Sequence, residues 1–141
     1  MSRVYWDSML FIYLLEKNPM YGPKVMKIHQ EMRRRQDTLC TSVFTEGEVL
    51  TGPRRTKDEA GIRGIRSYFS GREVEVLPFN AIVAEGYSLV RADFQVRQAD
   101  AIHLATASAF HVDLFITNDL RLHKLSIPGI KFMADIEGRV F

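Results

Sequence analysis

The sequence predicts an α/β fold in which helices cover both faces of a central parallel β-sheet, a three-layer α/β/α sandwich. Two observations point there. Short β-forming runs alternate with helix-like runs along nearly the whole chain, the pattern of a parallel sheet covered on both sides. The 141 residues are 46% hydrophobic and 26% charged, enough for one ordinary core and too few for two.

Arg3 to Trp6 is short and rich in β-formers, and Ser8 to Lys17 reads as a mostly buried helix with Ser8 available as its cap. Asp7 falls at the junction. After Asn18-Pro19 and Gly22-Pro23, the stretch Lys24 to Gln36 places Val25, Ile28 and Met32 at helical spacing, as a surface helix does. Leu39 to Val43 reads as a second strand, Thr45 to Leu50 as a short helix stopped by Gly52-Pro53, and Lys57 to Phe69 as a further helix before Gly71. Val74 to Leu77 alternates like a strand and ends at Pro78, and Ala81 to Val90 has the pattern of a helix. Gln98 to Phe110 is helical and dense in alanine, suited to close packing on a sheet. Leu114 to Thr117 is a strand, and Pro128 introduces a last strand near Lys131 to Met133 and a short tail. With no repeat, low-complexity tract or linker, residues 1–141 read as a single domain.

The 19 basic and 17 acidic side chains are too balanced to announce a nucleic-acid binder by charge alone, so any basic surface must come from clustering. One cysteine, Cys40, excludes an internal disulfide framework and suits a reducing compartment, hence the cytoplasm. The apolar run Met9 to Leu15 is far below the roughly 20 residues a bilayer requires, and no cleavage site follows it, so a soluble protein with no membrane association is expected.

In an open α/β sheet, function gathers at the carboxyl ends of the strands. Asp7 follows the first strand, Asp119 follows Leu114 to Asn118, and Asp100 lies in the first turn of the helix leading into that strand. The segments Val4-Tyr5-Trp6-Asp7-Ser8, Thr41-Ser42-Val43-Phe44-Thr45-Glu46-Gly47-Glu48-Val49-Leu50, Gln98-Ala99-Asp100-Ala101-Ile102-His103-Leu104-Ala105 and Phe115-Ile116-Thr117-Asn118-Asp119 resemble, in order and spacing, the four motifs of the PIN-domain family. The resemblance covers nearly the whole chain and is to the toxin-type, VapC-like ribonucleases of bacterial and archaeal toxin–antitoxin pairs. It implies a PIN-like fold, with Asp7, Glu48, Asp100 and Asp119 as catalytic residues that hold Mg²⁺ or Mn²⁺. It also implies endonucleolytic cleavage of RNA to 5′-phosphate and 3′-hydroxyl ends, an antitoxin partner, and a homodimer.

The second motif offers two glutamates, Glu46 and Glu48, about 200° apart on a helix, so both cannot face one pocket; the register of Ser42 and Val49-Leu50 favours Glu48. Two carboxylates about 4 Å apart repel by about 4 kcal/mol at an effective dielectric near 20, so four ionised acids together need a cation or shared protons. Oxygen ligands suit Mg²⁺ or Mn²⁺ before Zn²⁺. Ser8, Thr117 and Asn118 adjoin the acids and are candidates to orient them or to cap a turn. His103 shares the helix of Asp100 and reads as structural, since a hard-metal site needs no imidazole. Arg33-Arg34-Arg35 fan out by about 100° each and read as a solvated helix face. Arg54 and Arg55, with Lys57, follow Glu48 closely and are the substrate-binding candidates, reaching phosphates that flank the scissile one. Tyr68, Phe69 and Phe79 are possible stacking surfaces for bases. A PIN-like nuclease for rRNA or DNA processing and a non-catalytic PIN-like binding protein are the alternatives; the intact acidic quartet and the short chain count against them.

Overall fold

The computed structural model describes residues 1–137. Strand β1 (Arg3–Trp6) runs into α1 (Ser8–Leu15), and α2 (Gly22–Arg35) leads to β2 (Thr38–Ser42), α3 (Val43–Thr56) and α4 (Glu59–Ser70). Then come β3 (Glu75–Leu77), α5 (Ala81–Asp93), α6 (Gln98–Ala109), β4 (Leu114–Ile116), the one-turn α7 (Leu120–His123) and β5 (Phe132–Ala134). All pairings are parallel, in the order β3-β2-β1-β4-β5, and helices on both faces make the three-layer α/β/α sandwich.

The central strand explains the layering. Val4, Tyr5 and Trp6 are all 0% exposed, and successive residues of a strand point to opposite faces. Val4 and Trp6 join one apolar cluster with residues of α1, α2, α3 and α4, whereas Tyr5 joins another with Phe115 of β4 and Leu104 of α6. From β1 the chain winds outward through β2 and β3, then returns to place β4 and β5 on the other side. The segments leaving β1 and β4 therefore diverge at a topological switch point, where open sheets carry their crevice.

Three local features depart from the sequence reading. The cap of α1 is Asp7, whose carboxylate accepts the Met9 N–H at 3.1 Å, and this frees the Ser8 hydroxyl. Helix α3 does not stop at Gly52-Pro53 but continues to Thr56. Pro53 cannot donate to the Val49 carbonyl, yet packing of α3 on α1 and α4 outweighs one lost hydrogen bond. The helix ends at Lys57, which takes the left-handed conformation at φ 56°. The last strand begins at Phe132, after Gly129 turns the chain at φ 92° where an added Cβ would meet the Ser108 carbonyl. The expected tail lies largely outside the described residues.

Candidate active site

Asp7 leaves the carboxyl end of β1 and is 9% exposed. Its Oδ1 caps α1 and its Oδ2 accepts the Thr117 hydroxyl at 2.5 Å, while Thr117 Oγ1 also accepts the Asp119 N–H at 3.1 Å. One threonine at the end of β4 thus ties together the first and fourth acidic positions across neighbouring strands. Burial pushes the Asp7 carboxyl above its ordinary pKa, against the pull of Thr117, His103 and the backbone N–H groups of Met9 and Leu10.

Glu48 reaches the same rim from the middle of α3. Its Oε1 accepts the Ser8 hydroxyl and lies 2.9 Å from His103 Nε2. Ser8 Oγ is 3.1 Å from that nitrogen, and the other ring nitrogen, Nδ1, is 2.7 Å from the Tyr5 hydroxyl. Burial works to raise the Glu48 pKa, but the hydrogen bonds from His103 and Ser8 outweigh it and hold the carboxyl below its ordinary value. Glu46 sits about 200° around the helix from Glu48.

Asp100 and Asp119 are held by arginines. Arg97, the residue before α6, has Nε 3.2 Å from Asp100 and Nη2 3.7 Å from Asp119. Arg121 grips Asp119 with Nε at 3.1 Å and Nη2 at 2.8 Å, which keeps that carboxyl below its ordinary pKa. Arg91, Arg97 and Arg121 line a cavity of about 410 Å³ that opens beside Asp100.

Asp7 and Asp119 at the ends of neighbouring strands, Asp100 tied to Asp119 through Arg97, and Glu48 bonded to Ser8 beside Asp7 set the context for comparison with known proteins. The PIN domain family model matches residues 4–128. This chain belongs to the PIN-domain family. No curated protein sequence matches it. Among solved structures, this PIN domain is similar to VapBC2 from Rickettsia felis, solved bound to a DNA fragment from their promoter, with a TM-score of 0.74 and 16% identity over 94% of this chain and 98% of that one. It is also similar to a toxin-antitoxin complex from Klebsiella pneumoniae, with a TM-score of 0.66 and 22% identity over 90% and 94% of the two chains. A third similarity is to VapC20 from Mycobacterium tuberculosis, described as a sarcin-ricin loop cleaving toxin, with a TM-score of 0.62 and 16% identity over 79% and 86%.

PIN-domain nucleases generally use a divalent metal. The donor set suits one chemically, being all hard carboxylate oxygen, and the buried Asp7 gains most from a cation that would offset the cost of ionising it. Among the described residues no three Asp, Glu, His or Cys side chains stand close enough together to enclose a single ion. In this arrangement Arg97 supplies positive charge to Asp100 and, with Arg121, to Asp119.

Of the other residues singled out in the sequence, Ser8 and Thr117 bond site carboxylates, whereas the Asn118 amide turns away to donate to the Tyr13 hydroxyl at 2.9 Å. Arg54 and Arg55 are exposed on the last turn of α3 and do not line the arginine cavity. Arg34 pairs with Glu31 and Arg35 with Asp37. Phe69 is a core residue packed on Phe11 and is unavailable to bases, while Phe79 is 43% exposed. The sequence reading passed over Tyr5, Arg91, Arg97 and Arg121. Arg97 and Arg121 carried a signal, standing three residues before Asp100 and two after Asp119.

Proposed function

We propose that this PIN domain, read as one unit over 1–141, is an Mg²⁺- or Mn²⁺-dependent endoribonuclease, the cytoplasmic toxin of a toxin–antitoxin pair. The observation that carries the reading is a set of links between the motif residues: Thr117 joins Asp7 to the Asp119 backbone, Arg97 bridges Asp100 and Asp119, and Ser8, next to Asp7, holds Glu48 together with His103. These four carboxylates would hold the metal, which when bound supplies Lewis acidity toward a water and offsets charge on the phosphate. The chain's own part is to position and to neutralise. Thr117 fixes Asp7, Ser8 and His103 fix Glu48, and Arg91, Arg97 and Arg121 offer guanidinium groups to the phosphate nearest the scissile bond. Arg54 and Arg55 reach phosphates further along the RNA.

An antitoxin partner is supported by the structural neighbours solved as toxin-antitoxin complexes and by a second cavity of about 620 Å³. Ile12 and Leu15 of α1, Val49 of α3 and Ile65 and Tyr68 of α4 line it, an apolar groove suited to an amphipathic helix. RNA as the polymer is supported by the neighbour that cleaves the sarcin-ricin loop. The homodimer rests on the family resemblance.

The deciding experiment is cleavage of a labelled RNA. Activity is expected with Mg²⁺ or Mn²⁺, is abolished by EDTA and by Asp7→Asn or Asp100→Asn, and leaves 5′-phosphate and 3′-hydroxyl ends. Cleavage that persists in EDTA with 2′,3′-cyclic phosphate ends would overturn the metal assignment.

A further inference from the structure

We infer that Tyr5 and His103 form a positioning pair: the Tyr5 hydroxyl fixes the His103 imidazole with its proton on Nε2, and that N–H holds the Glu48 carboxylate at the site. What Glu48 does once held rests on the nuclease reading above; the hydrogen-bond polarity rests on geometry alone.

The Glu48 end of the ring sets the tautomer, and the Tyr5 end fits it. Tyr5 Oη accepts the backbone N–H of Ser42 at 3.2 Å, so its own proton is directed elsewhere, and His103 Nδ1 stands 2.7 Å away. With Nε2 protonated, as the Glu48 contact requires, the neutral imidazole presents a lone pair at Nδ1 and the Tyr5 hydroxyl donates to it. At the far side Nε2 faces Glu48 Oε1 at 2.9 Å and Ser8 Oγ at 3.1 Å. The Ser8 hydroxyl donates its proton to Glu48, so both oxygens offer lone pairs to Nε2, which must carry a hydrogen. The donor chain runs from Ser42 N–H to Tyr5, from Tyr5 to Nδ1, and from Nε2–H to Glu48, with every member satisfied.

Burial separates holder from held. Tyr5 is 0% exposed and stacked on Phe115 at 5.0 Å, and the His103 side chain is 4% exposed, whereas the Glu48 side chain is 32% exposed. A rigid, buried ring thus grips Oε1 from behind, and the carboxylate faces out at the rim. Burying a phenol and an imidazole is unfavourable unless each polar atom is bonded, and an apolar pair would fill the same space. The polar pair is explained by what it orients. Without it Glu48, half-buried beside the exposed Gly47 of α3, retains rotamers that point away from the site.

The test begins on the metal-free wild-type protein labelled with ¹⁵N-histidine at pH 8, where two-bond ¹H–¹⁵N correlations report the tautomer. His103 is expected with a protonated Nε2 and a bare, hydrogen-bonded Nδ1; an Nδ1–H or doubly protonated ring overturns the pair. In Tyr5→Phe the Nδ1 resonance should move to the position of an unbonded nitrogen. Mn²⁺ affinity and single-turnover cleavage then read the consequence. His103→Leu is expected to weaken Mn²⁺ binding about tenfold or more and to lower kcat with RNA affinity unchanged. His103→Gln, which keeps a donor near the Nε2 position, should recover most of both, and Tyr5→Phe should fall between. Wild-type Mn²⁺ affinity and kcat in His103→Leu and Tyr5→Phe would refute the positioning role. If the wild type neither binds Mn²⁺ nor cuts RNA, the nuclease reading fails, and the tautomer measurement still decides the pair.

Discussion

Asp7 does two jobs with one carboxylate, capping α1 and facing the site, and it does both while buried. In the folded chain its pKa is raised by burial, so the native state holds the proton more tightly than the unfolded chain does. Asp7 therefore favours folding below the ordinary carboxylate pKa, and that contribution is lost as pH rises through the raised native value. In EDTA at pH 7, Asp7→Asn is expected to raise the melting temperature by a few degrees, with the gain shrinking as the pH is lowered toward about 4. An asparagine variant less stable than wild type at pH 7 would show that the cap outweighs the charge. The glutamates of α3 separate in the same way. Glu48→Gln should abolish cleavage and leave the fold intact, since an amide oxygen still accepts from Ser8 and His103, whereas Glu46→Gln should cut at the wild-type rate. The reverse result would reassign the second acidic position.

Among the elements, α3 carries the sharpest test of packing against local propensity. Its last turn includes Pro53, which costs a helix up to about 3 kcal/mol relative to alanine in an interior position. Pro53→Ala restores an N–H to the Val49 carbonyl, at a loss of about 0.4–1 kcal/mol through a freer unfolded chain. A net gain of about 1 kcal/mol or more is expected from urea denaturation. If α3 ended at Gly52, the same substitution would destabilise. Gly129 sets the opposite case, because an added Cβ would lie 2.6 Å from the Ser108 carbonyl oxygen at a φ of 92°. Gly129→Ala should destabilise by more than about 1 kcal/mol and detach β5 first, read as faster amide exchange at Phe132 to Ala134.

For the molecule as a whole, a formal charge of +2 gives little general attraction to a polyanion, so the RNA affinity that the proposed function calls for has to come from where the cations are placed. Arg91, Arg97 and Arg121 gather from α5, the start of α6 and α7 at one cavity, while Arg54 and Arg55 stand apart on α3. Each phosphate contact removed should lower the slope of log affinity against log salt by about 1. Arg121→Ala is expected to lose that slope and also cleavage rate, because it adjoins Asp119; Arg54→Ala should lose slope alone. An unchanged slope in Arg121→Ala would remove the cavity from the RNA path. No helix among the described residues is long and apolar enough to cross a membrane.

Alternation of strand and helix is a local property, and the sequence by itself determined it; the four acidic positions were proposed from their places in the sequence and from the resemblance of their motifs. Period and composition are written in neighbouring residues, and each acid stands next to the apolar segment that places it, so Asp7 beside Arg3 to Trp6 is legible without any partner. Tertiary structure alone decided the strand order that sets β1 beside β4, and with it the switch point. It also overruled the stop at Gly52-Pro53, because contacts with α1 and α4 stabilise a turn that propensity disfavours. The hydrogen bonds of Tyr5 to His103, His103 to Glu48 and Ser8 to Glu48 span 98, 55 and 40 residues of sequence. No periodicity encodes such a set, since hydrogen bonding depends on distance and angle between atoms that only the folded backbone brings together.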